Sequence, residues 1–437
     1  MKVLRVLKKL VTLELHWQIF IALGLGLVAG MTAGTDGSFF GAFTFYSVFD
    51  FLGVLFLRAL KMIIVPLITS SIITGVTGVG RSGSLGRMGG KTFVYYISTS
   101  LIAILTGLML VNLLTPGIDS HGHPVKDKLG LTANTSAIED DLGDQGAGSL
   151  VDIFKRMIPI NPVHSAANGD ILPIIFFCLL FGYFVTQLPD KHRDSLDTFW
   201  QAVFDVMMRI TDFVMKFAPI GVFGLIAKIV ATTGFDVFRP LAVYFFCVLG
   251  ALIIHFGISL PLILRFVGKV NPWRHYRAMA PALLTAFSTS SSSATLPLTM
   301  ECAEKNAGVS NRVVSFVLPL GATVNMDGTA LYECVAAMFI AQAYGIHLTF
   351  SQQMIVVITA LLASVGAAGI PSAGLVMITI ILKAVGLPLE GVALILAVDR
   401  PLDMCRTMVN VFSDSCGTVV IARSEGETEL LVDRMRK

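Results

Sequence analysis

Near its C-terminus the chain reads Ala397-Val-Asp-Arg-Pro-Leu-Asp-Met-Cys-Arg-Thr-Met-Val-Asn-Val-Phe-Ser-Asp414. In a helix, which turns by about 100° per residue, the polar residues of this stretch fall within an arc of about 100°. They are Asp399, Asp403, Arg406, Thr407, Asn410 and Asp414. The residues between them are mostly apolar. If this helix lies in a bilayer, where a central charge costs about 3 kcal/mol or more, its polar face needs partners, water or ions.

The composition predicts an integral membrane protein. Hydrophobic residues make up 54% of the 437 residues, charged residues 14%, and the mean hydropathy is +0.77. A soluble protein needs far less apolar surface. Several uncharged stretches are close to the length that a hydrocarbon core of about 30 Å requires of a helix. They run over 15–35, 92–118, 240–264 and 278–300.

The distribution of charge predicts the orientation. Lys and Arg cluster near 2–9, 81–91 and 265–277, where the positive-inside rule places cytoplasmic ends and loops. We therefore expect cytoplasmic N- and C-termini, a multi-pass protein in the cell (inner) membrane and no nucleic-acid partner, since no basic soluble domain is present. The six Cys are scattered without Cys-x-x-Cys spacing, which argues against a zinc site or a disulfide framework.

Apolar stretches and the loops between them predict an all-α protein with eight membrane spans. The first six are expected at about 17–35, 49–80, 92–115, 170–188, 198–230 and 240–266, with an acidic external loop over 119–152. The seventh is expected at about 313–344, and the polar helix described above is the eighth.

Two further segments look like broken elements rather than spans. Ser288–Ser293 lies in the middle of apolar sequence, and 364–374 combines Gly, Ser and Pro in the same way. The seventh span is itself interrupted at Asn325-Met-Asp-Gly-Thr329. Non-helical backbone in a membrane must be buried in protein or face water, so the first two segments predict re-entrant helical hairpins. Paired broken elements are typical of inverted-repeat secondary transporters with a site near the midplane.

Four motifs carry a resemblance to a known family. They are Ser290-Ser-Ser-Ser-Ala-Thr-Leu-Pro297, Asn325-Met-Asp-Gly-Thr-Ala-Leu-Tyr-Glu333, Gly369-Ile-Pro-Ser-Ala-Gly374 and Asp403-Met-Cys-Arg-Thr-Met-Val-Asn410. Together they resemble the glutamate/aspartate transporters, the dicarboxylate/amino acid:cation symporters that include the excitatory amino acid transporters. The resemblance implies a homotrimer with elevator-type alternating access. Its scaffold would comprise 1–91 and 119–238, and its transport domain 92–118 and 239–437.

The resemblance also implies a substrate site for L-glutamate or L- or D-aspartate. Arg406 would bind the side-chain carboxylate of the substrate and Asp403 its ammonium group, roles that suit a planar guanidinium fork and a buried anion. The other implied contacts are Ser290, Ser292, Thr329, Gly369, Thr407 and Asn410.

Sodium is the implied coupling ion, and no cofactor is expected. One implied site comprises Gly321, Asn325, Asn410 and Asp414. A second comprises Tyr96, Thr99, Ser100, Asn325 and Asp327. A third uses backbone carbonyls at Thr323, Ser364, Val365 and Ala367. Oxygen ligands suit a hard cation, and no His lies in these motifs. Glu333 stands where animal relatives carry a proton-moving glutamate, which implies proton cotransport and potassium counter-transport.

The sequence departs from the family at one point. Relatives place an additional arginine at one of two positions, which are Ser290 and Met404 in this chain. Asp399 and Asp403 therefore lack their usual basic neighbour, unless Arg400 compensates although it is expected to point elsewhere on the helix.

Several alternatives stay open from the sequence. Arg406 and Asp403 can form a purely structural ion pair, and Glu333 can be a structural carboxylate. The same motifs fit a C4-dicarboxylate or neutral amino acid symporter, with Asp403 as the discriminator, and more remotely an ion channel. An enzyme is not expected, because the Ser cluster has no His-containing or Gly-x-Ser-x-Gly context.

Overall fold

The computed structural model describes residues 15–35, 37–40, 43–81, 87–119, 121–126, 158–168, 171–233, 238–365 and 373–431. Over the first half of the chain these residues form α1 (Leu15–Ala33), β1 (Ser38–Phe40), β2 (Phe43–Thr44), α2 (Phe45–Arg81), α3 (Arg87–Leu114), α4 (Pro162–Asn168), α5 (Ile171–Thr186), α6 (Asp190–Met215) and α7 (Ala218–Thr233). The second half forms α8 (Phe238–Ile254), α9 (Leu260–Phe266), α10 (Pro272–Thr289), α11 (Ser292–Glu301), α12 (Asn311–Val324), α13 (Asp327–Tyr344), α14 (Phe350–Val365), α15 (Ala373–Val385) and α16 (Val392–Ser424).

The helical character predicted from hydropathy is confirmed. Within the described ranges the β-structure comprises the antiparallel pair β1–β2, which joins Ser38 to Thr44 and Phe40 to Phe43, and an isolated bridge between Ile118 and Pro124. Two helical segments of the described chain, Arg87–Leu114 and Arg239–Phe266, are by themselves long and apolar enough to cross a bilayer. The number of membrane spans stays a prediction.

The fifth predicted span is not one helix, so that prediction was wrong. The chain forms α6 and α7, separated at Lys216 and Phe217. Pro219 explains the break, because its ring clashes with the carbonyl four residues earlier, at Met215, where α6 ends. The charged part of the predicted span therefore belongs largely to α6.

The sixth predicted span also contains an irregular turn. A π-helical segment, His255–Ser259, joins α8 to α9. Such turns insert a residue into a helix and often occur at functional sites. Here the turn places the His255 side chain, which is completely buried, against α13.

The break predicted in the Ser run is confirmed at Ser290 and Ser291, between α10 and α11. Ser290 has a left-handed backbone with φ of +52°, and the Ser291 side chain caps α11 by accepting from the Ala294 amide. Ser side chains favour such ends because they compete for backbone hydrogen bonds. The predicted interruption of span seven is confirmed at Asn325 and Met326, which leave helical geometry between α12 and α13.

The second predicted hairpin corresponds to α14 and α15, which pack against each other. Its tip lies outside the described residues, and with it two predicted site residues, Ala367 and Gly369. Val365 is the last residue of α14.

Helix packing divides the described chain into two sets. In one set, α7 packs on α1 and α2, and α2 also packs on α5 and α6. In the other set, α13 packs on α3 and α16, while α16 also packs on α8, α10 and α12. The sets meet where α7 contacts α16, where α2 contacts α12 and α15, and where α5 contacts α14 and α15. The central helix of the second set, α16, carries the polar face described above.

The segment after α16 forms hydrogen bonds with several elements of the second set. Lys91 of α3 donates to Glu425 at 2.7 Å, and Ser310, next to α12, donates its amide to Glu427 at 3.0 Å. The Leu431 amide donates to the carbonyl of Ala307, which ends the π-helical segment Cys302–Asn306 that follows α11. The hydrogen bond from Lys91 lowers the pKa of Glu425. This pair therefore contributes at neutral pH and is lost as the pH falls through the lowered pKa.

Candidate functional site

The polar face of α16 is buried. Asp399, Asp403, Arg406, Asn410 and Asp414 are each exposed by 5% or less. Burying ionic groups is costly unless they are paired or bind ions. The face divides into an ion-pair cluster toward the start of α16 and a neutral and acidic network toward its end.

Arg406 is the centre of the ion-pair cluster. Its Nη2 donates to Asp399 Oδ1 at 2.9 Å and to Asp403 Oδ1 at 2.8 Å. Its guanidinium carbon lies 3.7 Å from the centre of the Tyr332 ring, a cation–π contact that supports one face of the group. Nε and Nη1 are buried and have no hydrogen-bond partner among the described residues. The guanidinium is thus held in place while two of its nitrogens remain able to donate.

The structure shows the hydrogen-bond partners of Asp399, which could not be identified from the sequence. Asp399 Oδ1 accepts hydrogen bonds from Arg406 and from the Tyr332 hydroxyl, the latter at 2.8 Å. The expectation that Arg400 points elsewhere was wrong. Its Nη1 lies 3.4 Å from Asp403 Oδ2, because residues three apart on a helix are neighbours. Both oxygens of Asp403 therefore face an arginine.

Gly374, in the first turn of α15, lies directly against Arg406. A Cβ atom at this position would sit 2.5 Å from Arg406 Nη1. Arg406 has little room to move, since two carboxylates and the Tyr332 ring hold it. Glycine is therefore required here for close approach of backbone to the guanidinium.

Gly374→Ala is expected to weaken binding of an anionic ligand at Arg406 by about tenfold, because the added methyl displaces Nη1 and strains the cluster. Ligand titration of the purified protein measures the effect. Gly24→Ala is the matched control, since nothing lies within 4 Å of a Cβ at that helical position. Equal affinities of the two variants would contradict the close packing described here.

The predicted substrate contacts on α13 and α16 are linked to each other. Asn410 accepts from the Gly328 amide at 2.8 Å and donates to Thr329 Oγ1 at 3.1 Å. Thr407 donates its hydroxyl to the Asp403 carbonyl within α16. These contacts connect the break between α12 and α13 to the helix that carries Arg406.

The predicted contacts at the first helix break are also buried. Ser290 Oγ has no hydrogen-bond partner among the described residues, and Ser292 lies in the first turn of α11. A buried hydroxyl without a partner is uncommon and suits a group that meets a ligand. The buried hydroxyl, unpartnered among the described residues, therefore supports Ser290 as a candidate ligand-binding residue.

A second network forms around Asp327. Its Oδ1 accepts from Ser100 at 2.6 Å, and its Oδ2 accepts from Ser413 at 2.6 Å. His255 Nε2 lies 3.1 Å from the same Oδ2. The structure thus brings a predicted cation ligand on α3 together with one on α13.

Asn325 links this network to Asp414. Its side-chain amide donates to Asp414 Oδ1 at 2.9 Å, and its Oδ1 lies 3.3 Å from Thr99 Oγ1. Gly321 packs beside the same carboxylate, since a Cβ there would lie 2.5 Å from Asp414 Oδ1 and 2.8 Å from the Tyr96 hydroxyl. The structure therefore places the members of the first two predicted cation sites, apart from Asn410, in two adjoining groups around Asp327 and Asn325, which share Ser413 as a hydrogen-bond partner.

The two clusters differ in their balance of charge. Asp399 and Asp403 are matched by two arginines, Arg400 and Arg406. Within the described ranges, neither Asp327 nor Asp414 forms an ion pair with Lys or Arg, and His255 is the one basic side chain in contact with them. Two buried carboxylates without compensation are unstable. This second cluster is suited to receive a cation.

In the third predicted cation site, the side chains of Thr323 and Ser364 form no hydrogen bond with each other. Thr323 donates its hydroxyl to the Leu320 carbonyl and Ser364 donates to Leu361, each within its own helix. The predicted ligands of this set are backbone carbonyls, so its assembly stays a prediction.

Glu333 follows Tyr332 on α13 and is completely buried. Neither of its carboxylate oxygens has a hydrogen-bond partner within the described part of the chain. The prediction that it is a satisfied structural carboxylate therefore lacks support among these residues.

Three residues of the two clusters were not predicted from the sequence: Tyr332, His255 and Ser413. Ser413 lies three residues after Asn410, so helical spacing could have included it. His255 is a lone histidine in the uncharged stretch 240–264, which is a weak signal. The position of Tyr332 beside Glu333 gave no indication that its ring supports Arg406.

The fold and the site define a class of protein. Broken helices meet beside buried charges in a largely helical structure, an arrangement typical of secondary transporters. Residues 15–424 match the model of the sodium:dicarboxylate symporter family. The chain belongs to this family of membrane transporters, and the resemblance seen in its four motifs is confirmed.

Known relatives cover nearly the whole chain. The chain is 38% identical to excitatory amino acid transporter 3 of Mus musculus, covering 93% of this chain and 85% of the relative. It is 36% identical to the proton/glutamate-aspartate symporter of Escherichia coli, and the aligned region covers 95% of this chain and 94% of that relative. It is also 36% identical to the proton/sodium-glutamate symport protein of Geobacillus stearothermophilus, and the aligned region covers 94% of this chain and 95% of that relative.

Proposed function

We propose that the protein is a sodium-coupled symporter of acidic amino acids, with L-aspartate, L-glutamate or D-aspartate as substrate. One observation carries the proposal: Arg406 is buried, fixed by two carboxylates, and retains two nitrogens without partners among the described residues. A guanidinium in this state is suited to bind a carboxylate. The names of the relatives, which include glutamate-aspartate symporters, point to the same substrates.

Each end of the substrate has a proposed partner. The side-chain carboxylate binds Arg406, and the ammonium group binds Asp403. Thr329, Thr407 and Asn410 contribute further polar contacts. The α-carboxylate binds at the two hairpin tips, through Ser290, Ser292 and Gly369. The buried Ser290 hydroxyl without a partner among the described residues supports this assignment.

Sodium ions occupy the acidic cluster in this proposal. The first site uses Gly321, Asn325, Asn410 and Asp414, and the second uses Tyr96, Thr99, Ser100, Asn325 and Asp327. A third uses the carbonyls of Thr323, Ser364, Val365 and Ala367. The lack of compensating Lys or Arg among the described partners of Asp327 and Asp414 supports the first two sites. All these ligands are oxygens, as a hard cation requires.

Transport proceeds by alternating access of an elevator type in a homotrimer. The scaffold comprises 1–91 and 119–238, and the transport domain comprises 92–118 and 239–437. Packing of the described helices into two sets supports this division, since α3 packs with the second set although it lies between members of the first in sequence.

In this proposal Glu333 carries a proton that is cotransported with the substrate. Potassium counter-transport is proposed together with this proton coupling. A buried carboxylate without a partner costs several kcal/mol when ionised, so this position suits a group that takes up and releases a proton. The names of two bacterial relatives include the proton as a coupling ion.

Glu333→Gln is expected to abolish substrate-coupled proton entry while sodium-dependent substrate exchange persists. The amide keeps the size of the carboxyl group and cannot carry the proton. A pH-sensitive dye inside proteoliposomes measures proton entry, and labelled aspartate measures exchange. Glu301→Gln, at an exposed position, is the control. Unchanged proton entry in Glu333→Gln would exclude this residue as the carrier.

The rival function is a C4-dicarboxylate symporter. It is favoured by the pairing of Asp403 with Arg400, which occupies the proposed ammonium site. Competition of labelled L-aspartate uptake by succinate and by D-aspartate separates the two functions. The proposal predicts that D-aspartate competes and succinate competes poorly. Stronger competition by succinate would favour the dicarboxylate carrier.

A further inference from the structure

Asp403 lies between two arginines that differ in how firmly they are held. Arg406 Nη2 is 2.8 Å from Asp403 Oδ1 and is also bound by Asp399. Arg400 Nη1 is 3.4 Å from Asp403 Oδ2, and the Arg400 side chain keeps 13% of its surface exposed. Arg400 Nε is buried and has no hydrogen-bond partner among the described residues. Arg400 is therefore the more easily displaced of the two.

An ammonium group that binds Asp403 must compete with a guanidinium already present. Arg406 cannot give way, because Asp399 and the Tyr332 ring fix it in place. Arg400 can give way, since its pair with Asp403 is long and partly open. A dicarboxylate without an amine has no cation to offer and leaves this pair intact.

We propose that Arg400 is a specificity-determining residue that competes internally with the ammonium group of the substrate for Asp403. In the empty site, Arg400 and Arg406 balance Asp399 and Asp403. An amino acid displaces Arg400 from Asp403, whereas an amine-free dicarboxylate binds with Arg400 still in place and benefits from its charge. Arg400 thereby weakens the binding of amino acids and strengthens the binding of amine-free dicarboxylates, so that their affinities differ less. The inference rests on the proposed function.

The expected effects of removing Arg400 have opposite signs for the two classes. Arg400→Met frees Asp403 for the ammonium group, so the Kd for L-aspartate falls. It also removes a positive charge near a dianion, so the Kd for succinate rises. For a partly exposed charge pair each change is about three- to tenfold. The ratio of the two Kd values therefore changes by about tenfold or more.

Calorimetric titration of the purified full-length protein in saturating sodium tests the inference, with L-aspartate and succinate as probes. The variants are Arg400→Met, Arg400→Gln and Arg400→Lys. Arg400→Lys keeps the charge and is expected to resemble the wild type. Arg265→Met removes one positive charge at an exposed position outside the cluster and is the matched control. Thermal unfolding of each variant in sodium shows whether it folds, and Arg400→Gln replaces Arg400→Met if that variant does not.

Opposite shifts in Arg400→Met or Arg400→Gln, absent from Arg400→Lys and Arg265→Met, would support the inference. An unchanged ratio of the two Kd values, or equal loss of both affinities, would overturn it while leaving the proposed function intact. A wild-type protein that binds neither probe in the presence of sodium would refute the proposed function itself, and the role of Arg400 with it.

Discussion

Arg406→Cys is expected to abolish sodium-dependent uptake of L-aspartate and L-glutamate and to shift preference toward small neutral amino acids. Truncating one partner of a buried, hydrogen-bonded charge pair costs about 2 to 5 kcal/mol, so the loss for acidic substrates is more than about 30-fold. A neutral amino acid has no side-chain carboxylate and loses nothing at this position. The space left by the guanidinium remains polar because Asp399 and Asp403 still line it.

Uptake of labelled aspartate and alanine by proteoliposomes measures this change of preference. Arg406→Lys serves as a second variant: it keeps the charge but lacks the planar fork, so only partial recovery of acidic uptake is expected. Arg265→Cys is the control for introducing a cysteine elsewhere. If Arg406→Cys kept its preference for acidic substrates, Arg406 would be a structural ion-pair partner and its assignment to the carboxylate would be wrong.

Asp327→Asn is expected to raise the sodium concentration required for half-maximal uptake by about 100-fold. The amide oxygen can still accept hydrogen bonds from Ser100 or Ser413, so the network is kept while its charge is lost. Removing one charge from a buried pair costs about 3 kcal/mol or more, and a sodium ion at the site proposed beside Asp327 would form such a pair.

The sodium dependence of uptake, measured at fixed substrate, tests this expectation. Asp197→Asn is the matched control, because Asp197 is also a buried aspartate that accepts from a hydroxyl, that of Thr77, but lies on α6 outside the network. Equal sodium dependence in Asp327→Asn and the control would mean that Asp327 does not bind sodium.

The sequence predicts those features of the fold that depend on local chemistry. The break at Ser290 and the interruption at Asn325 follow from side chains that compete with helical hydrogen bonds, and both are found. The break between α6 and α7 also has a local cause, since Pro219 produces it. The π-helical turn at His255 has no local marker.

For the site, helical periodicity predicts one face of one helix and little beyond it. The spacing of Asp403 and Arg406 on α16 is enough to place them together. The contacts of Tyr332 with Arg406 and of His255 with Asp327 depend on how separate helices pack, which spacing within one helix does not reveal. Arg400 is also three residues from Asp403, so the same spacing could have predicted their contact.

Gradient-driven uptake shows whether a sodium gradient drives accumulation of an acidic amino acid. The wild-type protein is reconstituted into liposomes, and the external sodium, external pH and internal potassium are varied independently. With an inward sodium gradient we expect saturable accumulation of labelled L-aspartate above its external concentration, and we expect none when choline replaces sodium. Accumulation without sodium, or an ionic current that does not concentrate the substrate, would contradict this expectation.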